Sequence, residues 1–264
     1  MHIYDQRFPA VAGARLLPPD ALVPKYRRLQ ARLGLARTVV VTPSTYGTDN
    51  AILLDALEQF GAGARGVAVL DTSVTDDELQ RLHMAGVRGI RFNQTLSTVT
   101  PIEMLEPLAA RIRPLGWHVQ LLLKPNDIPL LESRLRDLPV PVVFDHLGRL
   151  PPAGVTHPGF RSIMNLIDCG KAWVKLSGSY LCGPRLGDDY PDATPLARAY
   201  LAAAPERMVW GSNWPHPSAG AGIHEWPDDA FLLDLLARWA GNPHRFAQIL
   251  VDNPAVLYGF IPMK

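Results

Sequence analysis

Short apolar runs that alternate with amphipathic segments are the feature that most limits how this 264-residue chain can fold. The runs are rich in Val, Ile and Leu, as strands buried on both faces are, and the segments between them repeat apolar residues at helical spacing. The predicted strands are residues 2–5, 38–44, 66–71, 89–93, 118–124, 142–148, 173–178 and 208–214. The predicted helices lie within residues 20–34, 50–61, 75–86, 101–116, 127–138, 159–170 and 192–204.

Eight strands separated by helices within about 250 residues are typical of a (β/α)8 TIM barrel of the α/β class. We therefore predict a single barrel domain over residues 1–264. A doubly wound open sheet shares the same alternation and is the alternative. No Gly-x-Gly-x-x-Gly turn follows the first predicted strand, so the usual mark of a dinucleotide site is missing.

Composition argues against several classes of partner. The 26 basic and 25 acidic residues are spread without a block of one charge, so we expect no nucleic-acid partner. No apolar run approaches the ~20 residues of a membrane-spanning helix, so we expect no membrane partner. Cys169 and Cys182 are too few for a disulfide framework, which favours a cytoplasmic location. The expected partner is a small molecule.

Polar residues follow several predicted strands, where a barrel of this class places its active site. His146 follows an apolar run, beside Asp145 and before a Gly-Arg turn, a position suited to proton transfer. The alternative for His146 is a histidine that caps a loop carbonyl. Arg91 and Arg149 are suited to holding substrate carboxylates, or else pair with helix carboxylates. Further candidates for substrate binding are Tyr46, Asn93, Lys175, Ser177, Tyr180 and His216. We interpret the remaining central and C-terminal histidines, His83, His118, His157, His224 and His244, as structural.

Five motifs carry a resemblance to a known family: TPSTYGTDN, GVRGIRFN, VFDHLGR, WVKLSGSY and VWGSNWPHP. They are similar to motifs of the amidohydrolase superfamily, in the branch that holds the 2-pyrone-4,6-dicarboxylate lactonases and the galactarolactone isomerases. The resemblance implies a (β/α)8 fold and a carboxylate-bearing lactone as the substrate. By position it implies three catalytic residues, His146, His2 and Asn213. It also implies that Arg91 and Arg149 clamp the substrate carboxylates.

The sequence departs from this family pattern at two positions. No residue lies two positions before His2, so the first member of a His-x-His pair is missing, because either the gene start is misplaced or the first strand is truncated. Asn213 stands where the lactonases have an aspartate that activates water. An amide accepts no proton near neutral pH, so we expect Asn213 to orient a water or a hydroxyl while His146 acts as the base.

The same positions bear on metal dependence. Metal sites of the family draw on the strand-1 histidine pair, a strand-5 His or Lys, the strand-6 histidine and the strand-8 aspartate. Here His2 and His146 are the only good ligands at those positions, one fewer than the three protein ligands of a catalytic zinc. We therefore expect no required metal and no other cofactor.

The resulting hypothesis is an enzyme that acts at the ring ester carbonyl of a carboxylate-bearing lactone. Ring-opening hydrolysis is the broader habit of the family. Lactone isomerisation, in which a substrate hydroxyl attacks the carbonyl, is the alternative and fits Asn213 better. Two other hypotheses stay open: a barrel that binds a sugar-acid lactone without turning it over, and a metal-dependent hydrolase or decarboxylase.

Overall fold

The structure is a computed structural model that describes residues 1–95 and 99–261. Within those residues seven strands alternate with helices along the chain. They are β1 Thr38–Val41, β2 Ala64–Ala68, β3 Val87–Asn93, β4 His118–Leu122, β5 Val142–Phe144, β6 Ala172–Ser177 and β7 Met208–Gly211. The order in the sheet is the order in the chain, β1 to β7. This order belongs to the (β/α)8 class, because a doubly wound sheet reverses its strand order at a switch point.

The described residues form eleven α-helices. They are α1 Val23–Leu33, α2 Ala51–Phe60, α3 Asp76–Met84, α4 Leu105–Ile112, α5 Ile128–Asp137, α6 Pro158–Asp168, α7 Thr194–Ala203, α8 Pro217–Gly220, α9 Asp229–Ala240, α10 Pro243–Ala247 and α11 Asn253–Tyr258. The seven helices predicted from the sequence are α1 to α7. Helices α8 to α11, with a π-helical turn at Gln248–Asp252, are not among the predicted elements.

The first predicted strand, residues 2–5, is wrong as a strand. Met1 makes two backbone hydrogen bonds to β1, of 3.1 Å and 2.9 Å. The chain then leaves β1, and Tyr4 pairs with Ala21 in an isolated antiparallel bridge. Strand-like pairing therefore ends before a ladder forms, which is why the described residues contain seven strands and not eight.

The chain divides into two compact units. Unit 1 comprises Met1–Val119 and Asn213–Trp226, and unit 2 comprises Gln120–Ser212 and Pro227–Lys264. The assignment of residues 1–264 to one domain stays a prediction. No helix in the described part of the chain is long and apolar enough to cross a bilayer.

In unit 1, β1 pairs with β2 and β2 pairs with β3, all in parallel. Leu53 of α2 packs on Gly66 of β2, where a Cβ atom would come within 3.3 Å of the leucine. Asn50, directly before α2, joins the ends of the two strands: its side chain accepts a hydrogen bond from Thr42 Oγ1 and donates one to Val69 O, both 2.8 Å long. The carboxyl ends of β1 and β2 are therefore fixed to each other.

In unit 2, β5 pairs with β6 and β6 pairs with β7, again in parallel. The register places Phe144 of β5 opposite Val174 of β6. Asn253 of α11 donates hydrogen bonds to the carbonyl oxygens of Pro205 and Met208, each 2.7 Å long. The C-terminal helix thus holds the start of β7 in place.

Candidate active site

His2 lies in unit 1, with its ring held against β1. Its Nδ1 is 2.9 Å from the carbonyl oxygen of Val41, and its backbone N donates to Trp214 O at 2.8 Å. Because a carbonyl oxygen only accepts, the neutral ring carries its proton on Nδ1 and its lone pair on Nε2. Neutral His2 is therefore an acceptor at Nε2, and it donates there only as the imidazolium cation.

Asn213 and His216 follow β7 in a turn with left-handed backbone geometry. Their φ angles are +59° and +57°, and the Trp214–Pro215 peptide bond between them is cis. His216 N donates to Asn213 O at 2.8 Å and closes the turn. The two residues are 8% and 2% exposed, and the ring of Trp226 meets the His216 ring edge-on. The turn therefore holds an amide and an imidazole in a buried setting within unit 1.

Arg91 and Asn93 lie two positions apart on β3, so their side chains leave the same face of the strand. Both are buried, and Asn93 Nδ2 donates to Ser44 Oγ at 2.8 Å. Burial raises the pKa of the Tyr4 phenol, whereas a hydrogen bond with Thr45 and the charge of Arg91 oppose that rise. The Arg91 guanidinium is thus a positive charge inside unit 1, a setting in which an anionic group is held strongly.

The hydroxyl of Tyr46 contacts the backbone of Asp5. It accepts from Asp5 N at 3.1 Å and donates to Asp5 O at 3.4 Å. Burial raises the pKa of this phenol. The predicted substrate-binding role of Tyr46 stays a prediction, because the described contacts of its hydroxyl are with the chain itself.

In unit 2, His146 begins a run of four residues with left-handed backbone after β5. The φ angles of His146, Leu147, Gly148 and Arg149 are +52°, +58°, +74° and +52°. His146 Nδ1 is 2.9 Å from Ser177 Oγ. A hydroxyl can donate or accept, so this contact allows the neutral ring to carry its proton on either nitrogen. His146 is therefore suited to accept a proton at Nε2 in one tautomer and to donate one there in the other.

Asp145 is a residue of this neighbourhood that is not among the predicted site residues. Its Oδ1 is 2.9 Å from Lys175 Nζ, and its Oδ2 accepts from Gln120 Nε2 at 3.0 Å. Lys175, predicted to bind substrate, thus contacts a buried carboxylate of the chain itself. Asp145 lies one residue before His146 and Lys175 two residues before Ser177, a spacing that does not mark the pair in the sequence, and only the tertiary contacts show that the four residues meet.

Arg149, Tyr180 and Cys182 lie farther along in unit 2. Arg149 is half-buried and Tyr180 is buried. Burial raises the pKa of the Cys182 thiol to about 12, with the charge of Asp192 adding to the shift and that of Arg149 opposing it. The thiol is therefore protonated near neutral pH and is not a nucleophile.

Left-handed backbone among non-glycine residues is concentrated at the predicted site. In residues 1–95 and 99–261, six non-glycine residues have positive φ, and four of them are predicted site residues. The six are His146, Leu147, Arg149, Ala153, Asn213 and His216. Such conformations cost about 1–3 kcal/mol each and cluster at functional sites, where the surrounding structure holds them.

Two histidines interpreted as structural have contacts that agree with that interpretation. His83 Nδ1 accepts from Trp117 Nε1 at 3.0 Å, and His157 Nδ1 accepts from Gly159 N at the start of α6, also at 3.0 Å. In the part of the chain that the structure describes, no group of three His, Cys, Asp or Glu side chains is arranged to hold a metal ion. Independence from metal stays a prediction.

The class of protein follows from a family comparison. The amidohydrolase family model matches residues 1–260. The chain belongs to the amidohydrolase family, which confirms the resemblance seen in its motifs.

Individual relatives lie in the predicted branch. The 2-pyrone-4,6-dicarboxylate hydrolase of Comamonas testosteroni is 36% identical over 97% of this chain and 88% of its own length. The D-galactarolactone isomerase of Agrobacterium fabrum (strain C58) is 32% identical over 100% of this chain and 91% of its own. The apo crystal structure of Agrobacterium tumefaciens ATU3138 has a TM-score of 0.91 at 30% identity, and the match covers 100% of this chain and 95% of that one. The predicted (β/α)8 class is confirmed.

Proposed function

We propose that this chain is a lactone-processing enzyme that acts at the ring ester carbonyl of a carboxylate-bearing lactone, with ring-opening hydrolysis as its reaction. The observation that carries the proposal is His146: a buried imidazole in a left-handed turn after β5, with Nδ1 on Ser177 Oγ. Acyl transfer needs a base of this kind to deprotonate the attacking oxygen. The relatedness to lactone hydrolases supports the choice of substrate.

In the hydrolytic reaction His146 Nε2 takes a proton from water while the water oxygen bonds to the carbonyl carbon. The tetrahedral intermediate then breaks its bond to the ring oxygen, which leaves with the proton returned by His146. The product is the open-chain acid. This sequence requires the tautomer in which Nδ1–H donates to Ser177 Oγ, because only then does Nε2 carry the lone pair.

His2 and Asn213 take supporting roles in the proposal. With Nδ1 bonded to Val41 O, the His2 ring stabilises a carbonyl oxyanion only as the imidazolium, which donates at Nε2. Asn213 orients the attacking oxygen through its amide and accepts no proton. Arg91 and Arg149 hold the carboxylates, with Asn93, Tyr46, Ser177, Tyr180 and His216 as further substrate contacts.

Lactone isomerisation is the second candidate, and Asn213 favours it. With an amide in place of a carboxylate base, a hydroxyl of the substrate can replace water as the group that His146 deprotonates. The hydroxyl oxygen bonds to the carbonyl carbon, the old ring oxygen leaves as a new hydroxyl, and no water is consumed. The relatedness to a D-galactarolactone isomerase supports this candidate.

A proton NMR time course in H2¹⁸O, with mass spectrometry of the products to detect ¹⁸O, separates the two reactions. The purified protein is given 2-pyrone-4,6-dicarboxylate and galactaro-1,5-lactone separately, with and without a chelator. Direct formation of an open-chain acid that carries ¹⁸O supports hydrolysis. A new lactone that appears first and carries no ¹⁸O supports isomerisation. Tight binding of a lactone without turnover contradicts both reactions and supports a non-catalytic binder.

The variant His146→Asn tests the base in the same assay. Asn tolerates the left-handed backbone of that position, so we expect the fold to persist while kcat falls about 100-fold or more. The matched control is His157→Asn, because His157 is a half-buried histidine of the same unit that caps α6. Equal activity of the His146→Asn variant and wild type would remove His146 from the mechanism.

A cytoplasmic location belongs to the same proposal and rests on the low cysteine count.

A further inference from the structure

A buried ion pair lies directly before His146 in the chain. It joins Asp145 Oδ1 to Lys175 Nζ at 2.9 Å, with side-chain exposures of 2% and 11%. The second carboxylate oxygen accepts from Gln120 Nε2 at 3.0 Å. Both oxygens of Asp145 are thus held by donors from other strands, Gln120 on β4 and Lys175 on β6.

The backbone of Asp145 is also fixed by two hydrogen bonds. Its N donates to Leu121 O at 2.9 Å, and its O accepts from Gly148 N at 3.0 Å. Asp145 itself has an ordinary extended conformation, with φ of −69° and ψ of 145°. The left-handed run begins at the next residue, so Asp145 is the anchored residue from which the turn that carries His146 departs.

Two side-chain contacts join the residues that follow β5 to β6, and the ion pair is one of them. Lys175 and Ser177 lie two positions apart on one face of β6, and they meet Asp145 and His146 respectively. Gly211 of β7 lies beside both β6 side chains: a Cβ there would be 3.3 Å from Lys175 Cδ and 3.6 Å from Ser177 Cβ. The glycine leaves the room in which the two contacts form.

The buried pair of charges lowers the stability of the fold compared with well-packed apolar residues, so a purely structural role does not explain it. Burying two charges removes them from water, and well-packed apolar residues of similar volume are often as stable or more stable. The buried Gln120 Oε1 has no hydrogen-bond partner among the described residues, which adds a further cost. The charge of Asp145 also acts on Tyr258. Burial is the larger cause that raises the pKa of the Tyr258 phenol, and the Asp145 carboxylate is the smaller one. Costs of this kind are expected where a precise geometry serves function.

We propose that Asp145 and Lys175 are positioning residues for His146: their buried pair fixes the turn so that the His146 ring keeps its contact with Ser177 and a single tautomer. The inference rests on the proposed function in taking His146 as the base. It assigns Lys175 to the geometry of the base and not to the binding of substrate. Lys175 therefore acts on the rate of the chemical step and not on affinity.

The test compares Asp145→Asn, Lys175→Met and the double variant for melting temperature, kcat and KM. Each single variant leaves one buried charge without its partner, so both melting temperature and kcat are expected to fall. The double variant removes both charges and regains most of the melting temperature. Its kcat stays down by about 10- to 100-fold while KM changes less than about threefold, as for a misplaced catalytic group.

Two control variants separate a fall in kcat caused by a misplaced His146 from a fall caused by lower stability. Leu166→Ala in α6 removes a fully buried side chain of the same unit and is expected to lower the melting temperature with kcat unchanged. Gln120→Leu keeps both charges, releases Asp145 Oδ2 from its second donor and avoids an unpaired charge if the other variants fold poorly. Its kcat is expected to fall several-fold.

A rise in KM with unchanged kcat in Lys175→Met would assign Lys175 to substrate binding and overturn the inference. Recovery of kcat together with melting temperature in the double variant would overturn it as well, because the pair would then be structural. A loss of kcat in Leu166→Ala equal to that in the double variant has the same meaning.

Histidine ring ¹⁵N NMR separates failure of this inference from failure of the proposed function. The His146 signals are assigned by their loss in His146→Asn. Wild type is expected to show one tautomer protonated at Nδ1, and the double variant a mixture. Unchanged ring shifts would overturn the positioning role even if lactones are turned over. An absence of turnover with the expected shifts would remove the proposed function alone.

Discussion

Asn213 is a predicted site residue whose amide side chain limits the chemistry that this position can support. Its amide cannot take a proton from water, and its φ of +59° holds it in a conformation that asparagine and aspartate tolerate better than most residues. Aspartate is therefore a substitution that changes the chemistry at this position while keeping the backbone.

The first prediction is that Asn213→Asp raises the rate of water-dependent ring opening. The new carboxylate supplies a general base, an effect worth about 100-fold or more where the geometry is right, and we expect at least a tenfold gain. The measurement is ¹⁸O incorporation into the open acid. Asn213→Gly, which fits the same φ without a side chain, is the control and is expected to show no gain. If Asn213→Asp gives no gain, the result contradicts the idea that this site has the arrangement of a lactonase with Asn in place of the aspartate.

The turn after β5 carries His146 on a left-handed backbone over four residues. It is supported from β6 and from Gly178 directly after that strand. Gly178 has φ of +60°, and a Cβ there would lie 2.9 Å from His146 Nδ1. The closeness of that glycine is thus a condition for the His146–Ser177 contact.

We predict that Gly178→Ala lowers kcat by about 10- to 100-fold, because the added methyl displaces the His146 ring. Gly170→Ala is the matched control: Gly170 has φ of +72°, but a Cβ there would be 3.6 Å from the guanidinium of Arg207. Both variants share the left-handed strain of about 1–2 kcal/mol, measured as a loss in the free energy of unfolding. Equal kcat values for the two variants would show that Gly178 does not govern the ring position.

The stability of the folded protein is expected to depend on acid pH through carboxylates whose pKa is lowered in the folded state. The Arg7 side chain donates to Asp5 and lowers its pKa, against the opposing effect of burial. A hydrogen bond from Ser162, followed by weaker effects of Asn165 and Arg136, lowers the pKa of Glu132. Lowered values mean that the folded state binds protons less readily than the unfolded state does. This stabilisation is complete above the usual pKa near 4 and is lost as pH falls through the lowered values.

We therefore predict that the melting temperature falls as pH drops below about 4. The double variant Asp5→Asn/Glu132→Gln should melt lower than wild type at pH 7 and lose less on acidification. Asp188→Asn is the control, because that side chain is 93% exposed and 3.8 Å from its arginine partner. Thermal scans at a series of pH values give the comparison, and parallel curves for wild type and the double variant would contradict the assignment.

Metal independence is also a prediction about the whole molecule. We expect purified protein to contain far less than one equivalent of zinc or manganese, and a chelator to leave kcat unchanged, because His2 and His146 are two imidazoles where a catalytic zinc uses three protein ligands. Elemental analysis and the lactone assay check this. Stoichiometric metal, or activity lost to a chelator and restored by zinc, would support the metal-dependent alternative.

Much of the fold and part of the candidate site can be read from sequence. Strands β1 to β7 are predictable because they are short apolar runs, and helices α1 to α7 because they repeat apolar residues at helical spacing. The first strand is mispredicted, because Ile3 and Tyr4 form a short apolar run in the sequence whereas Tyr4 pairs with Ala21 in an isolated bridge. Asp145 is not selected, since a carboxylate after a strand has no visible partner in the sequence.

The alternation of elements and the family follow from periodicity and motifs, which are local properties of the chain, and the same motifs predict His2, His146 and Asn213 as site residues. Which side chains meet depends on the tertiary fold. The Asp145–Lys175 pair joins positions 30 residues apart, and the His146–Ser177 contact joins positions 31 apart. Such contacts depend on strand register and on left-handed turns, which arise from packing and are not encoded in the spacing of neighbouring residues.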